Sequence, residues 1–179
     1  MKKFNVSPII ISRTPFRLSL GGGSTDLPSY YKKYGGFIFA VAIDMYMDIF
    51  VKKPVTDDLV HMHYLKYENE PSADKIKHTI GRESLRLLDI KNKILVSFNA
   101  DTPSGTGLGS SGACAVGLLK VLSLFKGREM NNLQACETAF KVTQNLGLPD
   151  GKQDPYICAL GGFTVLDIAK NGLVKITKP

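Results

Sequence analysis

No stretch of this 179-residue chain approaches the ~18 uninterrupted apolar residues of a membrane-spanning helix, because Lys, Arg, Asp or Gly breaks every run. The N-terminus, Met-Lys-Lys-Phe-Asn-Val-Ser-Pro, lacks the apolar block of a secretory signal. Cysteine is scarce: Cys114, Cys136 and Cys158 are odd in number, sit among apolar neighbours and form no Cys-x-x-Cys pair. A disulfide framework is therefore excluded, and buried reduced thiols in a cytoplasmic protein are expected. There is no internal repeat, low-complexity segment or Pro/Ser-rich linker. The 23 Lys and Arg against 16 Asp and Glu give a net charge of +7, yet no basic tract forms. The cations come in scattered pairs such as Lys2-Lys3, Lys32-Lys33 and Lys52-Lys53. Such an excess fits nucleotide phosphates or phosphorylated metabolites. Without a basic run interleaved with aromatics, nucleic acid is not the expected partner.

The chain does have an ordinary soluble composition, 44% apolar and 22% charged, at a length that suits one domain. Its first third reads as strands: residues 9–11, the alternating 16–20, then 37–43 and 45–53, rich in Phe, Ile and Val. Gly21-Gly22-Gly23 breaks the second of these. Ser24, Thr25 and Asp26 offer caps to a short helix over 27–34, ended by Gly35-Gly36. A strand near 59–64, a basic amphipathic helix over 74–88 and a strand at 94–98 follow. The second half is helical. Residues 109–125 are apolar nearly all round, as in a buried helix. Asn131 can cap the next, whose inward face would carry Leu133, Cys136, Phe140 and Thr143. A short helix after Asp154 and strands at 163–168 and 173–176 complete the chain. Strands first and helices later predict an α+β domain, a two-layer mixed sheet with helices on one face.

The most informative stretch is Pro103-Ser104-Gly105-Thr106-Gly107-Leu108-Gly109-Ser110-Ser111-Gly112. Alternate glycines let a backbone turn tightly and expose its N–H groups. The long helix begins at once, so its free amides and positive dipole end point into the loop. Strand, glycine loop and helix in that order make a phosphate cradle that needs no lysine. Ser110 and Ser111 add hydroxyls for a phosphate oxygen or a magnesium ion. A Walker A loop is excluded, since no lysine lies between Lys93 and Lys120. A dinucleotide fingerprint lacks its parallel sheet and acidic partner. The plainer alternative is a flexible loop before a serine-capped helix.

This stretch resembles the phosphate loop Pro-x-x-x-Gly-Leu-Gly-Ser-Ser of the galactokinase, homoserine kinase, mevalonate kinase and phosphomevalonate kinase (GHMP) family. Arg17-Leu-Ser-Leu-Gly-Gly-Gly-Ser-Thr-Asp26 resembles its N-terminal sugar motif, and Gly151-Lys-Gln-Asp154 with Gly161-Gly162-Phe163 its third element. Within the family the pattern is most similar to the D-glycero-D-manno-heptose 7-phosphate kinases. The resemblance runs over essentially the whole chain and implies the family's ribosomal-protein-like N-terminal domain. It implies ATP and Mg²⁺ as cofactors and a sugar phosphate as substrate. By the same resemblance ATP would lie over Pro103, Gly105, Gly107, Leu108, Gly109, Ser110, Ser111 and Gly112. The sugar would lie near Arg17, Gly22, Gly23, Ser24, Thr25, Asp26 and Lys152, with Asp154 as the base taking the hydroxyl proton. Each has a structural alternative: Asp154 before Pro155 is a good helix cap, Asp26 could cap the 27–34 helix, Arg17 could make a surface ion pair, and Lys152 could be solvated. His61 and His63 alternate on a strand with no third ligand nearby, so no metal site is expected there.

The chain departs from the family pattern in two ways. A glutamate on the helix before the base usually completes the magnesium site; here Thr143 takes that position beside Ser110 and Ser111. Glu137, six residues earlier, lies about 120° around the helix. The family's second domain, with a third glycine-rich motif, has no counterpart in these 179 residues. The expectation is a GHMP kinase N-terminal ATP- and sugar-binding domain over 1–179, without the C-terminal domain. A separate C-terminal half or homo-oligomer would complete it. The alternative is a degenerate, non-catalytic domain that binds nucleotide or sugar phosphate.

Overall fold

The longest alternating stretches of sequence form the longest strands. The computed structural model describes residues 8–179; the Lys2-Lys3 pair and the seven-residue N-terminal stretch lie outside the described residues. The order is β1 (Ile10–Gly21), α1 (Pro28–Tyr34), β2 (Gly36–Lys52), β3 (Val60–His63), β4 (Tyr67–Glu70), α2 (Thr79–Leu87), β5 (Ile94–Ala100), α3 (Ser110–Phe125), α4 (Asn132–Asn145), α5 (Gln153–Leu160), β6 (Phe163–Ile168) and β7 (Val174–Thr177). The sheet runs β4-β3-β5-β2-β6-β7, with β1 also paired to β2. Among the described residues only β3 and β5 pair in parallel; the other pairings are antiparallel. The result is the expected mixed α+β architecture with helices packed on one face. No helix among the described residues is long and apolar enough to cross a membrane.

β2 is one strand where the sequence suggests two. The interruption at Asp44 is a register shift: Pro15 pairs with Tyr46 but Arg17 pairs with Ala42, so the strand bulges rather than ends. One end of β2 then pairs with β5 and the other with β6. β1 spans both halves, so the bulge opposite Phe16 sets the direction in which Arg17 leaves the sheet.

α3 is buried on most sides, as its all-round apolar sequence requires. Leu118, Leu119 and Leu122 are fully buried together with Phe16, Ile49 and Ile94 from the sheet. Each such side chain contributes roughly 1.5–3 kcal/mol by leaving water. A smaller cluster lies under α5 and holds Ile38, Tyr156, Ile157 and Leu166. The three cysteines are free and buried, and burial pushes the thiols of Cys114 and Cys136 up to about 12.

Two expectations are corrected. Leu133 is exposed, because α4 turns Ala135, Cys136, Ala139, Phe140, Val142 and Thr143 inward, with Asn131 closing a capping box. The helix expected over 74–88 is a single 3₁₀ turn, Ala73–Lys75, followed by α2 alone. The physical reason is Glu68 on β4, a strand the sequence reading lacks. Its buried carboxylate accepts the amides of Lys77 at 2.5 Å and His78 at 3.0 Å, plus the Tyr64 hydroxyl at 2.6 Å. Those amides are then not available to a helix, and α2 starts from His78, whose Nδ1 accepts the Gly81 amide at 3.0 Å.

Burial alone would push Glu68 up, but the bonds from Tyr64, Lys77 and His78 hold it below the ordinary carboxylate range. Its stabilisation is therefore present above the unfolded value of about 4.3 and is lost as pH falls through the lowered folded one. Glu68→Gln should cost about 2 kcal/mol in urea unfolding at pH 7. The gap from the native chain should narrow below about pH 4. A gap that stays constant from pH 7 to pH 3 would contradict this account.

Candidate active site

Three elements distant in sequence meet at the N-terminus of α3: the middle of β1, the turn before α1, and the first turn of α5. The loop from β5 to α3 carries Gly105, Gly107 and Gly109, with φ of 85°, 75° and 78°. This left-handed backbone excludes most side chains and turns successive amides outward. Gly109 sits at the N-cap of α3, and no side chain caps the helix. The first internal bond runs from the Ala113 amide to the Gly109 carbonyl at 2.9 Å. The amides of Ser110, Ser111 and Gly112 therefore point out of the helix end with no carbonyl partner among the described residues. Gly105 and Gly107 are exposed; Ser110 and Ser111 are half-buried.

Arg17 joins this loop to α5. Its own amide donates to the Leu108 carbonyl at 3.0 Å, and Nη1 donates to the Gly107 carbonyl at 2.6 Å. Nε and Nη2 both reach Oδ1 of Asp154, at 2.7 and 2.5 Å. The guanidinium is nearly buried, so this is not the surface ion pair left open by the sequence. The contact is close enough that a Cβ on Gly109 would lie 2.9 Å from Arg17 Cγ. Asp154 in turn packs on α3, where a Cβ on Gly112 would lie 2.5 Å from its own Cβ. Both Arg17 bonds fall on one carboxylate oxygen. Oδ2 of Asp154 has no hydrogen-bond partner among the described residues, and the side chain is 22% exposed.

Asp154 is not the cap of its helix. The N-cap is Lys152, and it provides no side-chain bond. The cap comes from Asp26, whose Oδ2 accepts the Gln153 amide at 2.7 Å. Asp26 consequently does not cap α1, which starts at Leu27 without a side-chain cap. The approach requires Gly151, where a Cβ would stand 2.0 Å from Asp26 Oδ2. Burial is the main force on Asp26 and pushes its carboxyl above the usual range, against the lowering effect of the Gln153 bond.

The other residues read from the sequence divide. Gly22 is pressed against β2, and Thr25 ties the same turn down by donating to the Gly22 and Phe37 carbonyls, both at 2.7 Å. Gly23 and Ser24 are exposed beside them. Pro103 is exposed, and its carbonyl accepts from Thr106 at 3.3 Å; Leu108 is half-buried. Lys152 is neither solvated nor open to a ligand. It is 4% exposed, ion-paired to Glu137 at 2.8 Å, and lies over the rings of Phe140 and Tyr156 at 4.6 and 5.3 Å. The Tyr156 hydroxyl also donates to Glu137. Thr143 is buried, and its hydroxyl donates to the Phe140 carbonyl at 3.0 Å. His61 bonds Asp57 and Asn69, and no three-residue metal cluster occurs among the described residues.

Two site residues lacked a role in the sequence. Gln153 links β1 to the first turn of α5, accepting from the Ser19 hydroxyl at 2.8 Å. Its only signal is its place inside the Gly-Lys-Gln-Asp run. Asp150 is half-buried in the α4–α5 connection. Burial and then the Asp154 charge push its carboxyl upward, against the lowering effect of the Ser111 hydroxyl.

Residues 72–162 match the profile of the GHMP kinases N terminal domain. The D-glycero-alpha-D-manno-heptose 7-phosphate kinase of Campylobacter jejuni is 29% identical over 178 residues, which cover 90% of this chain and 51% of that protein. This chain thus spans about half the length of that relative. A solved D-glycero-D-manno-heptose 1-phosphate kinase from Bacteroides thetaiotaomicron aligns with a TM-score of 0.83 at 24% identity, over 95% of this chain and 59% of that one. The galactokinase of Lactococcus lactis, solved with galactose, gives 0.74 at 16% identity, over 94% and 47%. At these identities the solved structures speak for the fold. The matched segment contains the glycine loop, α3, α4 and the Asp154 turn, and the chain belongs to the GHMP kinase family through that family's N-terminal domain.

Proposed function

We propose that this chain is the ATP- and sugar-binding domain of a cytoplasmic kinase. It would transfer the γ-phosphoryl group of ATP to the anomeric hydroxyl of D-glycero-D-manno-heptose 7-phosphate. The observation that carries the reading is one carboxylate beside one helix end. Asp154 has Oδ1 held by Arg17 and, among the described residues, no partner on Oδ2; it packs against the α3 terminus, whose first three amides have no carbonyl partner among the described residues. Family membership supports the reaction class, and the Campylobacter relative supports the choice of sugar.

Phosphoryl transfer asks the protein for position and charge stabilisation more than for covalent chemistry. The amides of Ser110, Ser111 and Gly112, at the positive end of α3, would hold the phosphate oxygens. Asp154 Oδ2 would accept the hydrogen bond of the attacking hydroxyl and then its proton. Arg17 holds Oδ1 of the carboxylate, which would leave Oδ2 to face the substrate. The hydroxyls of Ser110 and Ser111 are hard oxygen donors, a set that suits magnesium, which binds through few protein ligands and the substrate phosphates. When bound, the ion would neutralise phosphate charge. The loop is exposed, so closure by further protein, a separate C-terminal half or a second copy, would exclude water.

A second reading, a domain that binds without turnover, is favoured by Thr143, a neutral side chain whose hydroxyl is already committed to Phe140. Isotope transfer from labelled ATP to the heptose phosphate separates the two. Labelled product supports the kinase; tight binding of both ligands with no product selects the second reading. A chain that binds neither ligand overturns both.

Asp154→Asn should lower transfer by about 10²–10⁴-fold, with ATP affinity nearly unchanged. Gly109→Ala forces a side chain into left-handed backbone and against Arg17. It should weaken ATP binding about tenfold or more and also lower stability by about 1–3 kcal/mol, as read by calorimetric titration and urea unfolding.

A further inference from the structure

Asp154 leaves α5 in its first turn, so its direction follows the rotation of that helix. Arg17 and the gap at Gly112 meet it on one side of α5. The arginine reaches it through a long side chain that can follow the carboxylate. The fork therefore fixes the two groups relative to each other more firmly than it fixes the helix. Asp26 adds one backbone point, the Gln153 amide at 2.7 Å. A helix held only there could still pivot.

α4 grips the other side at two places one turn apart. Lys152 and Tyr156 are four residues apart and share a face of α5; the Tyr156 amide bonds the Lys152 carbonyl at 3.2 Å, so the turn between them is helical. On α4, Glu137 and Phe140 are three apart and also share a face. Glu137 Oε1 accepts from Lys152 Nζ at 2.8 Å and from the Tyr156 hydroxyl. The Phe140 ring lies 4.6 Å from the same ammonium. One carboxylate oxygen thus takes both ends of a helical turn. At about 100° per residue, Asp154 stands about 200° from each clamped neighbour, on the face turned toward Arg17.

Small rotations matter at this radius. Side chains reach about 5–6 Å from a helix axis, so a turn of about 10° carries the tip about 1 Å. A displacement of that size at a reacting group costs about 10²-fold in rate. Burial alone does not call for the charges. Lys152 is 4% exposed, and a methionine there would cover the same two rings without an ammonium to desolvate. What an apolar pair lacks is direction, because only hydrogen bonds fix both ends of the turn to one atom.

We propose that Glu137 is a positioning residue: by holding Lys152 and Tyr156 on one oxygen it fixes the rotation of α5 and aims Asp154 at the α3 terminus. It acts through α5 and not on a ligand. The effect on turnover rests on the kinase reading above; the effect on geometry does not.

The test replaces the pair as a whole. Glu137→Leu with Lys152→Met exchanges both charges for apolar groups of similar size, which should leave urea unfolding near native. Two measurements on the full chain then separate aim from stability. By ¹⁵N NMR, the Arg17 Nε–H, assigned through its loss in Arg17→Lys, exchanges slowly while bonded to Asp154. The double variant should speed that exchange about tenfold or more. In isotope transfer it should lower kcat about 10–100-fold with KM for ATP unchanged. A variant of native stability with native Arg17 exchange overturns the proposal, and so does one with native kcat. If the double variant unfolds more easily than the native chain, Tyr156→Phe takes its place, since it keeps the ring and removes one anchored point. Exchange about threefold faster or more then supports the proposal, and native exchange overturns it. A native chain that transfers no phosphoryl group overturns the kinase reading alone, and Arg17 exchange by itself decides whether Glu137 aims Asp154.

Discussion

The fork from Arg17 to one oxygen of Asp154 joins residues 137 apart in sequence, and the rest of the site is arranged around it. The same arginine holds the glycine loop through its amide and its guanidinium. Loop, α5 and sheet therefore share one anchor. The parallel contact from Asp26 to the Gln153 amide spans 127 residues and fixes the start of α5. Both contacts join elements far apart in sequence. The small residues at the crossings, Gly109, Gly112 and Gly151, allow the polar groups to approach because no Cβ intervenes. Geometry of this kind is a consequence of tertiary packing, and the bulge in β1–β2 opposite Phe16 is where that packing sets its direction.

Much of this was legible. The glycine loop, the all-round apolar helix and the Asn131 cap are local signals, and local signals survive folding. The strand break at Asp44 was real but misjudged in kind, because a bulge and a strand end look alike in one dimension. What the sequence concealed was non-local. Asp26 was a natural cap for the helix beside it and instead caps one 127 residues on. Asp154, before a proline, had the pattern of a cap and instead stands inside the first turn, facing Arg17. The helix expected over 74–88 was shortened by Glu68, a residue on a strand with no clear alternation, which took the two amides its first turn needed. In each case a carboxylate chose a partner that no spacing rule reveals.

The lysine of Gly-Lys-Gln-Asp illustrates how charge is partitioned. In a chain of net charge +7, Lys152 next to Gln153-Asp154 could approach a phosphate or simply be solvated. Here its ammonium is buried against two rings and Glu137, a full ion pair under the site. Burial would push Glu137 up, yet the bonds from Lys152 and Tyr156 hold it below the ordinary range, so the pair is internally compensated. The consequence reaches the surface. With Lys152 turned inward, Arg17 is the cation bonded to Asp154 among the described residues, and it is already spent on Asp154 and a carbonyl. The site gathers the carboxylates of Asp26, Asp150 and Asp154 within a basic protein.

That acidity has an energetic signature in Asp26. A side-chain cap is worth about 0.5–2 kcal/mol, and serine or asparagine caps as well as aspartate does. A neutral cap would keep the Gln153 bond without placing a charge where burial opposes it. On Asp26 burial outweighs the hydrogen bond, since its carboxyl is pushed up rather than down. The charge therefore works against the fold at neutral pH, and the sign follows from linkage: a carboxylate whose folded value is raised loses stability as pH rises through that value. A residue that costs stability in a position where a neutral one would serve the helix equally well is one whose charge serves something else. Asp26 lies within the field of Asp154 and Arg17, at the turn that joins β1 to α1, so its charge is set against the same two groups that define the site.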